Sequence, residues 1–178
     1  EALPEHVTGE LIDGVLYTQA RPAGPHIFVA SGLSTSIDGP FGHGVNGPGG
    51  WILADEPELH VGSDVLVPDV AAWRIERLPP AARREKFFTI VPDWVCEVAS
   101  PSTSLRDRRI KAPLYAQGGV AHLWLVEPVE GRVEAYERHD DRWLVSGTWG
   151  DDTDARIPPF DEVPIDLARL WSRAGREP

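Results

Sequence analysis

One acidic residue inside a short apolar strand constrains the fold of this chain more than any other feature. Glu97 lies in the run Trp94-Val-Cys-Glu-Val-Ala99, and a polar turn and a helical segment follow it as far as Tyr115. A carboxylate in an apolar strand loses its hydration on folding, which is costly unless a cation, a proton or a hydrogen-bond donor compensates it. The fold must therefore bring a compensating group to this strand.

The sequence contains candidates for two kinds of compensation. Positive charge can come from the following helix, whose basic residues are Arg106, Arg108, Arg109 and Lys111. Asp69, in the apolar segment Val65–Trp73, can instead join Glu97 in holding a divalent metal ion. The first arrangement is a structural ion-pair network and the second is a metal site, and we take the second as the working hypothesis.

Length and charge limit the classes of protein to consider. The 178 residues, 42% of them hydrophobic, fit one globular domain spanning 1–178 with a single sizeable core. The formal net charge of -11 repels polyanions, so any nucleic-acid function must overcome that field locally. Cys96 is the single cysteine, which excludes an internal disulfide and suits a reducing cytoplasm. No apolar run approaches about 20 residues, so no membrane helix is expected.

Hydrophobic periodicity predicts alternating strands and helices. The predicted strands are a hairpin over Leu11–Tyr17 that turns at Asp13-Gly14, buried strands at Val65–Trp73 and Trp94–Ala99, and three strands at 121–126, 132–137 and 142–149. The predicted helices begin near His26, Ser104 and Ile165, and Pro113 should kink or divide the second of them near residue 109. The glycine-rich stretch from Gly39 to Gly50 is predicted to be a mobile loop.

The spacing of polar residues indicates which side chains can meet. Side chains alternate along a strand, so Glu97 shares a face with Val95 and Cys96 points the other way. Asp107, Lys111 and Tyr115 recur every four residues and therefore line one face of the helix. If the strands that carry Asp69 and Glu97 are neighbours, the two acids can meet and Lys111 can lean toward them.

These residues carry a resemblance to known nucleases. Pro68-Asp69, the strand with Glu97 and a nearby lysine resemble the PD-(D/E)xK nuclease superfamily. A longer set of segments resembles the Uma-type family of restriction endonucleases. Those segments are Glu10–Gly14, the helix from His26, Pro68–Val70, Glu97–Ser102, Asp107, Lys111, Tyr115, Gly118–Val120 and Trp124–Val126. Ala99 departs from the superfamily pattern, because it stands where the motif lysine would be.

The resemblance implies an α/β restriction-endonuclease-like core, with a central mixed, twisted β-sheet flanked by helices. It also implies metal-dependent hydrolysis of phosphodiester bonds in nucleic acid, with DNA as the expected substrate, and a homodimer. Asp69 and Glu97 would bind Mg²⁺ or Mn²⁺, and Glu10 would add a further carboxylate near the metal. Lys111 would take the role of the motif lysine, and His26 would face the same cleft.

Two other functions remain open from the sequence. One is a non-catalytic binding or assembly module on a nuclease fold, which the acidic charge and Ala99 favour. The other is a phosphodiesterase acting on a small nucleotide, which would need a closed, deep pocket. A nuclease should show a basic cleft around Lys111 and the neighbouring arginines, whereas a binding module can be acidic throughout.

Overall fold

A computed structural model describes residues 7–20, 24–100 and 103–176, whose strands form two sheets. The smaller sheet contains β1 (Val7–Ile12), β2 (Val15–Ala20), β4 (Leu59–Val61) and β5 (Asp64–Leu66), in the order β2-β1-β5-β4. The larger sheet contains β3 (Trp51–Asp55), β6 (Val70–Arg74), β7 (Trp94–Val98), β8 (His122–Glu127), β9 (Arg132–His139) and β10 (Arg142–Trp149), in the order β10-β9-β8-β7-β6-β3. The first two residues of the predicted Val65–Trp73 strand therefore lie in the smaller sheet, and the last four lie in the larger sheet.

The hairpin predicted at Asp13-Gly14 joins β1 to β2. Asp13 has a φ of 50° and Gly14 a φ of 74°, so both central residues adopt the left-handed conformation. Two-residue hairpins favour this conformation because it matches the twist of the strands, and aspartate followed by glycine adopts it at low cost. This turn sets the register that places Glu10 opposite Tyr17.

The larger sheet is mixed, as the sequence predicts. β7 and β8 run parallel, whereas β6 is antiparallel to β7 and β9 is antiparallel to β8. Parallel neighbours need a crossover connection, and the helical segment between β7 and β8 supplies it. The helices are α1 (Pro25–Ile37), α2 (Ser104–Arg106), α3 (Ala112–Gly118) and α4 (Leu167–Arg173). The predicted α/β class, with a mixed sheet flanked by helices, is confirmed.

Pro113 divides the crossover helix where the sequence predicts a break. Between α2 and α3, residues Asp107–Lys111 form a wider, π-helical turn. Proline has no N–H to bond to the preceding turn, and its ring crowds the carbonyl four residues earlier. Gly119 ends the segment in the left-handed conformation with a φ of 95°, which glycine adopts freely. Lys111 is the last residue of the wide turn.

Each face of the larger sheet packs against its own core. On one face, α1 and α4 cover an aromatic group in which Trp94 and Trp124 pack edge-on against Phe160. On the other face, α3 and the smaller sheet enclose Trp73, Val95 and Tyr115. Trp94, Cys96 and Val98 belong to the first core and Val95 to the second, which confirms that Glu97 faces the side of α3.

Two sequence predictions about local structure are wrong. The strand predicted over Val65–Trp73 is interrupted at Val67-Pro68-Asp69, where the chain passes from the smaller sheet to the larger one. The glycine-rich stretch is regular at its start, because Asp38–Gly42 forms a π-helical turn that extends α1. Phe41 in this turn is buried against Phe160, with the ring centroids 4.9 Å apart, so tertiary packing overrides the glycine content.

Some expectations concern residues outside the described ranges. Pro101 and Ser102, which belong to one segment that carries the resemblance, are among them. Among the described residues, none of the helices has both the length and the apolar character needed to cross a membrane.

Candidate active site

The chain segment that links the two sheets forms one wall of the candidate site. The Val67 N–H donates to Glu10 Oε1 at 2.9 Å, and the Val67 carbonyl accepts from Lys111 Nζ at 3.0 Å. Glu10 lies on β1, so the smaller sheet, the linking segment and the crossover helix meet at this point. The interruption of the predicted strand therefore exposes backbone groups that help to hold Lys111.

Lys111 is the centre of a buried group of polar side chains. Its Nζ lies 2.7 Å from Glu10 Oε1 and 2.7 Å from Glu97 Oε1, and its side chain is 1% exposed. With the Val67 carbonyl, these contacts use all three ammonium donors. Burial lowers the pKa of Lys111, but the charges of Glu97, Glu10 and Asp107 outweigh burial and raise the pKa above its usual value. Lys111 is therefore held as a cation.

Glu97 is constrained by two donors on the same oxygen. The Tyr115 hydroxyl donates to Glu97 Oε1 at 2.6 Å, and this is the oxygen that Lys111 also contacts. Burial raises the pKa of Glu97 well above its ordinary value; Lys111 opposes this, and the carboxylates of Asp107, Asp69 and Glu10 add to it. We call Glu10, Glu97, Lys111 and Tyr115 the lysine cluster. Its two carboxylates carry more negative charge than its one lysine can neutralise.

Asp69 lies immediately before β6, which is the neighbour of the strand that carries Glu97. Val70 pairs with Cys96, and the Val98 N–H donates to Asp69 Oδ2 at 2.7 Å. The contact with the Val98 N–H brings Asp69 beside the strand that carries Glu97, as the metal hypothesis requires. Asp69 Oδ1 is 3.1 Å from His26 Nε2, on the first turn of α1. His26, expected to face the cleft, contacts one of the candidate metal ligands.

The pKa of His26 responds to this contact. Burial lowers it, but the hydrogen bond and the charge of Asp69, together with Glu56 and Asp107, raise the pKa above its ordinary value. Its other ring nitrogen, Nδ1, is buried and has no hydrogen-bond partner among the described residues. Asp69 therefore favours the protonated form of His26.

Asp107 adds a further carboxylate. It is 4% exposed, and burial raises its pKa, with Lys111 and a hydrogen bond to Thr103 opposing the rise. With Lys111 and Tyr115 also buried, the predicted common face of the helix is confirmed, and it points into the protein. The sequence indicated the shared face through the four-residue spacing but did not indicate its burial.

Two of the arginines that could make the cleft basic, Arg106 and Arg108, are engaged with acids. Arg106 Nη2 lies 3.5 Å from Glu10 Oε2, and Arg109 is exposed. Arg108 Nη1 lies 2.6 Å from Glu134 Oε2, and its Nη2 lies 3.1 Å from Glu127 Oε1. The Tyr136 hydroxyl also donates to Glu134 Oε2. We call Arg108, Glu127, Glu134 and Tyr136 the arginine cluster, and much of the positive charge expected in the cleft is neutralised there.

Two cavities adjoin the candidate ligands. An open pocket of about 360 Å³ lies beside Asp69 and is lined by His26, Ile27, Ala30, Ser31, Asp55, Glu56 and Asp69. A narrow cavity beside Glu97 is lined by Glu97, Ala99, Ser104, Asp107, Arg108, Leu125 and Glu127. Ala99, the residue that replaces the motif lysine, faces the second cavity. The arginine cluster borders the same cavity through Arg108 and Glu127.

The donor set fits a small hard cation. Among the described residues, no three His, Cys, Asp or Glu side chains converge as a ready-made metal cage. Mg²⁺ is usually held by only one or two carboxylates and keeps several waters, so a cage of three side chains is not required. Asp69 and Glu97 supply two such carboxylates, and burial raises the pKa of Glu97, with the charges of Asp107, Asp69 and Glu10 adding to the rise. Glu10, the third expected carboxylate, has Oε1 on Lys111 and a buried Oε2.

Sequence reasoning missed some of the groups that build the site. Tyr115 was expected only on the shared helix face, and its hydroxyl contacts Glu97. The backbone N–H of Val98 and the peptide groups of Val67 have no sequence signal at all. Glu127 could have been noticed as an acid at the end of a strand beside β7.

A solved structure shares this fold. It is described as a putative nuclease belonging to DUF820 from Anabaena variabilis ATCC 29413, and the comparison gives a TM-score of 0.76 at 24% sequence identity. The match covers 97% of this chain and 94% of that chain. This likeness confirms the nuclease-type fold over nearly the whole chain.

Comparison at the level of sequence gives the family. No curated protein matches the chain. Residues 1–168 match the Uma2 family, which is described as "Putative restriction endonuclease". The match covers most of the chain and includes Asp69, Glu97 and Lys111. The protein is therefore a member of the Uma2 family.

Proposed function

We propose that the protein is a metal-dependent endonuclease that hydrolyses phosphodiester bonds in DNA. Asp69 and Glu97 would hold Mg²⁺ or Mn²⁺, and Lys111 would act as the positively charged partner. The observation that carries this proposal is the contact of the Lys111 ammonium with Glu97, 2.7 Å away, on a strand adjacent to Asp69. Metal-dependent hydrolysis needs hard oxygen ligands, which Asp69 and Glu97 would supply, and a positive charge near the reacting groups, which Lys111 would supply.

The metal would act as a Lewis acid on the scissile phosphate. Lys111 is held protonated by the surrounding carboxylates, which suits a stabilising charge and not a general base. Its donors are occupied by Glu10, Glu97 and the Val67 carbonyl, so it also fixes the orientation of Glu97. Glu10 is proposed as the further carboxylate near the metal, and its contact with Lys111 adds a positioning role.

The pocket beside Asp69 supports a polymeric substrate. It is open, and the small-nucleotide alternative would need a closed, deep pocket. DNA and a homodimer are proposed by analogy with nucleases that must reach both strands of a duplex. The single Cys96, buried and free, is compatible with the proposed cytoplasmic setting.

One observation favours the non-catalytic binding module as a second candidate. The sequence hypothesis required a basic cleft, and both Arg106 and Arg108 lie close to carboxylates instead. In a nuclease, a bound divalent cation would offset part of the negative charge of the cleft. In a non-catalytic binding module, the cleft would stay acidic. Metal binding therefore separates the two candidates.

The test combines calorimetric titration of Mn²⁺ with a plasmid-nicking assay on the same samples. We expect the wild type to bind the ion and nick the plasmid, and Asp69→Asn and Glu97→Gln to lose both properties. Asp64→Asn is the matched control, because Asp64 is another buried acid and its carboxylate accepts from the Asp13 N–H in the smaller sheet, away from the proposed ligands. A wild type that neither binds Mn²⁺ nor nicks DNA would refute the nuclease proposal and leave the binding module.

A further inference from the structure

The two donors on Glu97 limit how this residue can bind a metal ion. Lys111 Nζ and the Tyr115 hydroxyl both contact Oε1, at 2.7 Å and 2.6 Å. A carboxylate oxygen has two lone-pair positions, so Oε1 is fully used by these two hydrogen bonds. Among the described residues, none donates a hydrogen bond to Oε2. Only Oε2 is left to take a ligand.

We propose that Tyr115 is a specificity-determining residue that restricts Glu97 to one metal-binding oxygen and so makes the site select Mg²⁺ over Ca²⁺. The inference rests on the proposed metal-dependent function. Ca²⁺ takes six to eight oxygens and often binds both oxygens of a carboxylate, whereas Mg²⁺ takes six ligands and keeps several waters. A carboxylate with one available oxygen therefore disfavours Ca²⁺.

The surroundings make this restriction rigid. Tyr115 is fully buried in the core between α3 and the smaller sheet, so its hydroxyl cannot swing to another partner without disturbing the packing. Lys111 is fixed independently by Glu10 and the Val67 carbonyl. Asp69 is also held at both oxygens, by the Val98 N–H and His26. Neither candidate ligand can therefore bind one metal ion through both carboxylate oxygens without losing a hydrogen bond.

The matched control lies in the arginine cluster. The Tyr136 hydroxyl donates to Glu134, just as the Tyr115 hydroxyl donates to Glu97. Tyr136→Phe therefore removes a hydroxyl from a glutamate that is not a proposed ligand, and Tyr115→Phe makes the same chemical change beside a proposed ligand. The two variants separate an effect on metal selectivity from the general loss of a tyrosine hydroxyl.

The experiment measures the affinities for Mg²⁺ and Ca²⁺ by calorimetric competition against Mn²⁺. Loss of one hydrogen bond to Oε1 should shift the ratio of Ca²⁺ to Mg²⁺ affinity toward Ca²⁺ by roughly three- to tenfold in Tyr115→Phe. Tyr136→Phe should keep the wild-type ratio. An unchanged ratio in Tyr115→Phe, with metal binding and nicking retained, would overturn this inference and leave the proposed function intact.

A second measurement does not depend on the folding of Tyr115→Phe. Infrared difference spectra of the wild type with and without Mg²⁺, referenced to Glu97→Gln, report the splitting of the Glu97 carboxylate stretches. We expect the wide splitting of a carboxylate bound through one oxygen. The narrow splitting of two-oxygen binding would refute the inference while supporting the metal site. Absence of any metal-dependent change in the wild type would refute both proposals.

Discussion

The lysine and arginine clusters have the same chemical composition but opposite electrostatic behaviour. Each has one cation between two glutamates, with a tyrosine hydroxyl on one glutamate, and the two cations are three positions apart on the same helical segment. The Lys111 side chain is 1% exposed and that of Arg108 is 36% exposed. The pKa of Glu97 is raised well above its usual value, whereas the pKa of Glu134 is lowered.

Burial explains the difference between the clusters. For both glutamates burial raises the pKa, but at Glu134 the hydrogen bonds from Arg108 and Tyr136 outweigh it, and at Glu97 Lys111 does not. Near water, an ion pair costs little to form and contributes little. Away from water, the cost of removing the charges from water can exceed the attraction between them. The raised pKa of a buried glutamate therefore distinguishes the candidate site from the arginine cluster, although the two clusters contain similar residues.

The largest expected effect comes from removing the buried cation. Lys111→Met leaves two buried carboxylates without their partner, which should lower the free energy of unfolding by about 3–5 kcal/mol. Arg108→Met, the matched change in the arginine cluster, should cost about 1 kcal/mol or less because that pair is partly solvated. Urea unfolding in the presence of a chelator measures both. Equal losses would contradict the comparison.

Removing a tyrosine hydroxyl should also cost more stability in the lysine cluster than in the arginine cluster. Tyr115→Phe removes a buried hydrogen bond to a charged group, so we expect a loss of about 1.5–3 kcal/mol in the free energy of unfolding. Tyr136→Phe should lose less, since Arg108 remains on Glu134 and the site is half-buried. Denaturant unfolding of the two variants side by side gives the difference, and a larger loss for Tyr136→Phe would reverse the interpretation.

Glu97→Gln should become more stable relative to the wild type as the pH rises. Because the pKa of Glu97 is raised in the folded protein, the fold retains the proton at pH values where the unfolded chain has lost it, and wild-type stability falls through that window. The variant lacks this titration. In chelator, its melting temperature should exceed that of the wild type by a few degrees at alkaline pH, since about 1 kcal/mol shifts a domain of this size by about 2–4 °C. A difference independent of pH would refute the assignment.

The smallest effect, of opposite sign, is expected for Glu134→Gln. The lowered pKa of Glu134 contributes stability above its unfolded value, and that stability is lost as the pH falls through the folded pKa. The variant should therefore be less stable than the wild type at neutral pH, by less than about 1 kcal/mol, and should match it in acid. The same melting series as for Glu97→Gln detects this, and a stabilised variant at neutral pH would show that burial governs both clusters.

Local rules predicted the parts of the fold that depend on neighbouring residues. The hairpin at Asp13-Gly14, the division of the crossover helix by Pro113 and the face of β7 that carries Glu97 all follow from turn chemistry, a missing donor or strand alternation. The failures at Pro68 and Phe41 have a different origin, because there the chain changes sheets or buries an aromatic ring against a distant residue.

The sequence by itself determined that Glu97 lies on an apolar strand, that Lys111 and Tyr115 share a helix face, and that the chain resembles a nuclease family. Only the tertiary structure decided that Glu10 and the Val67 peptide complete the surroundings of Lys111, and that Arg108 is held by Glu127 and Glu134. The first group of properties depends on the period of a strand or helix, which neighbouring residues set. The second depends on contacts between segments far apart in the chain, whose energies follow from burial and charge compensation in the assembled fold.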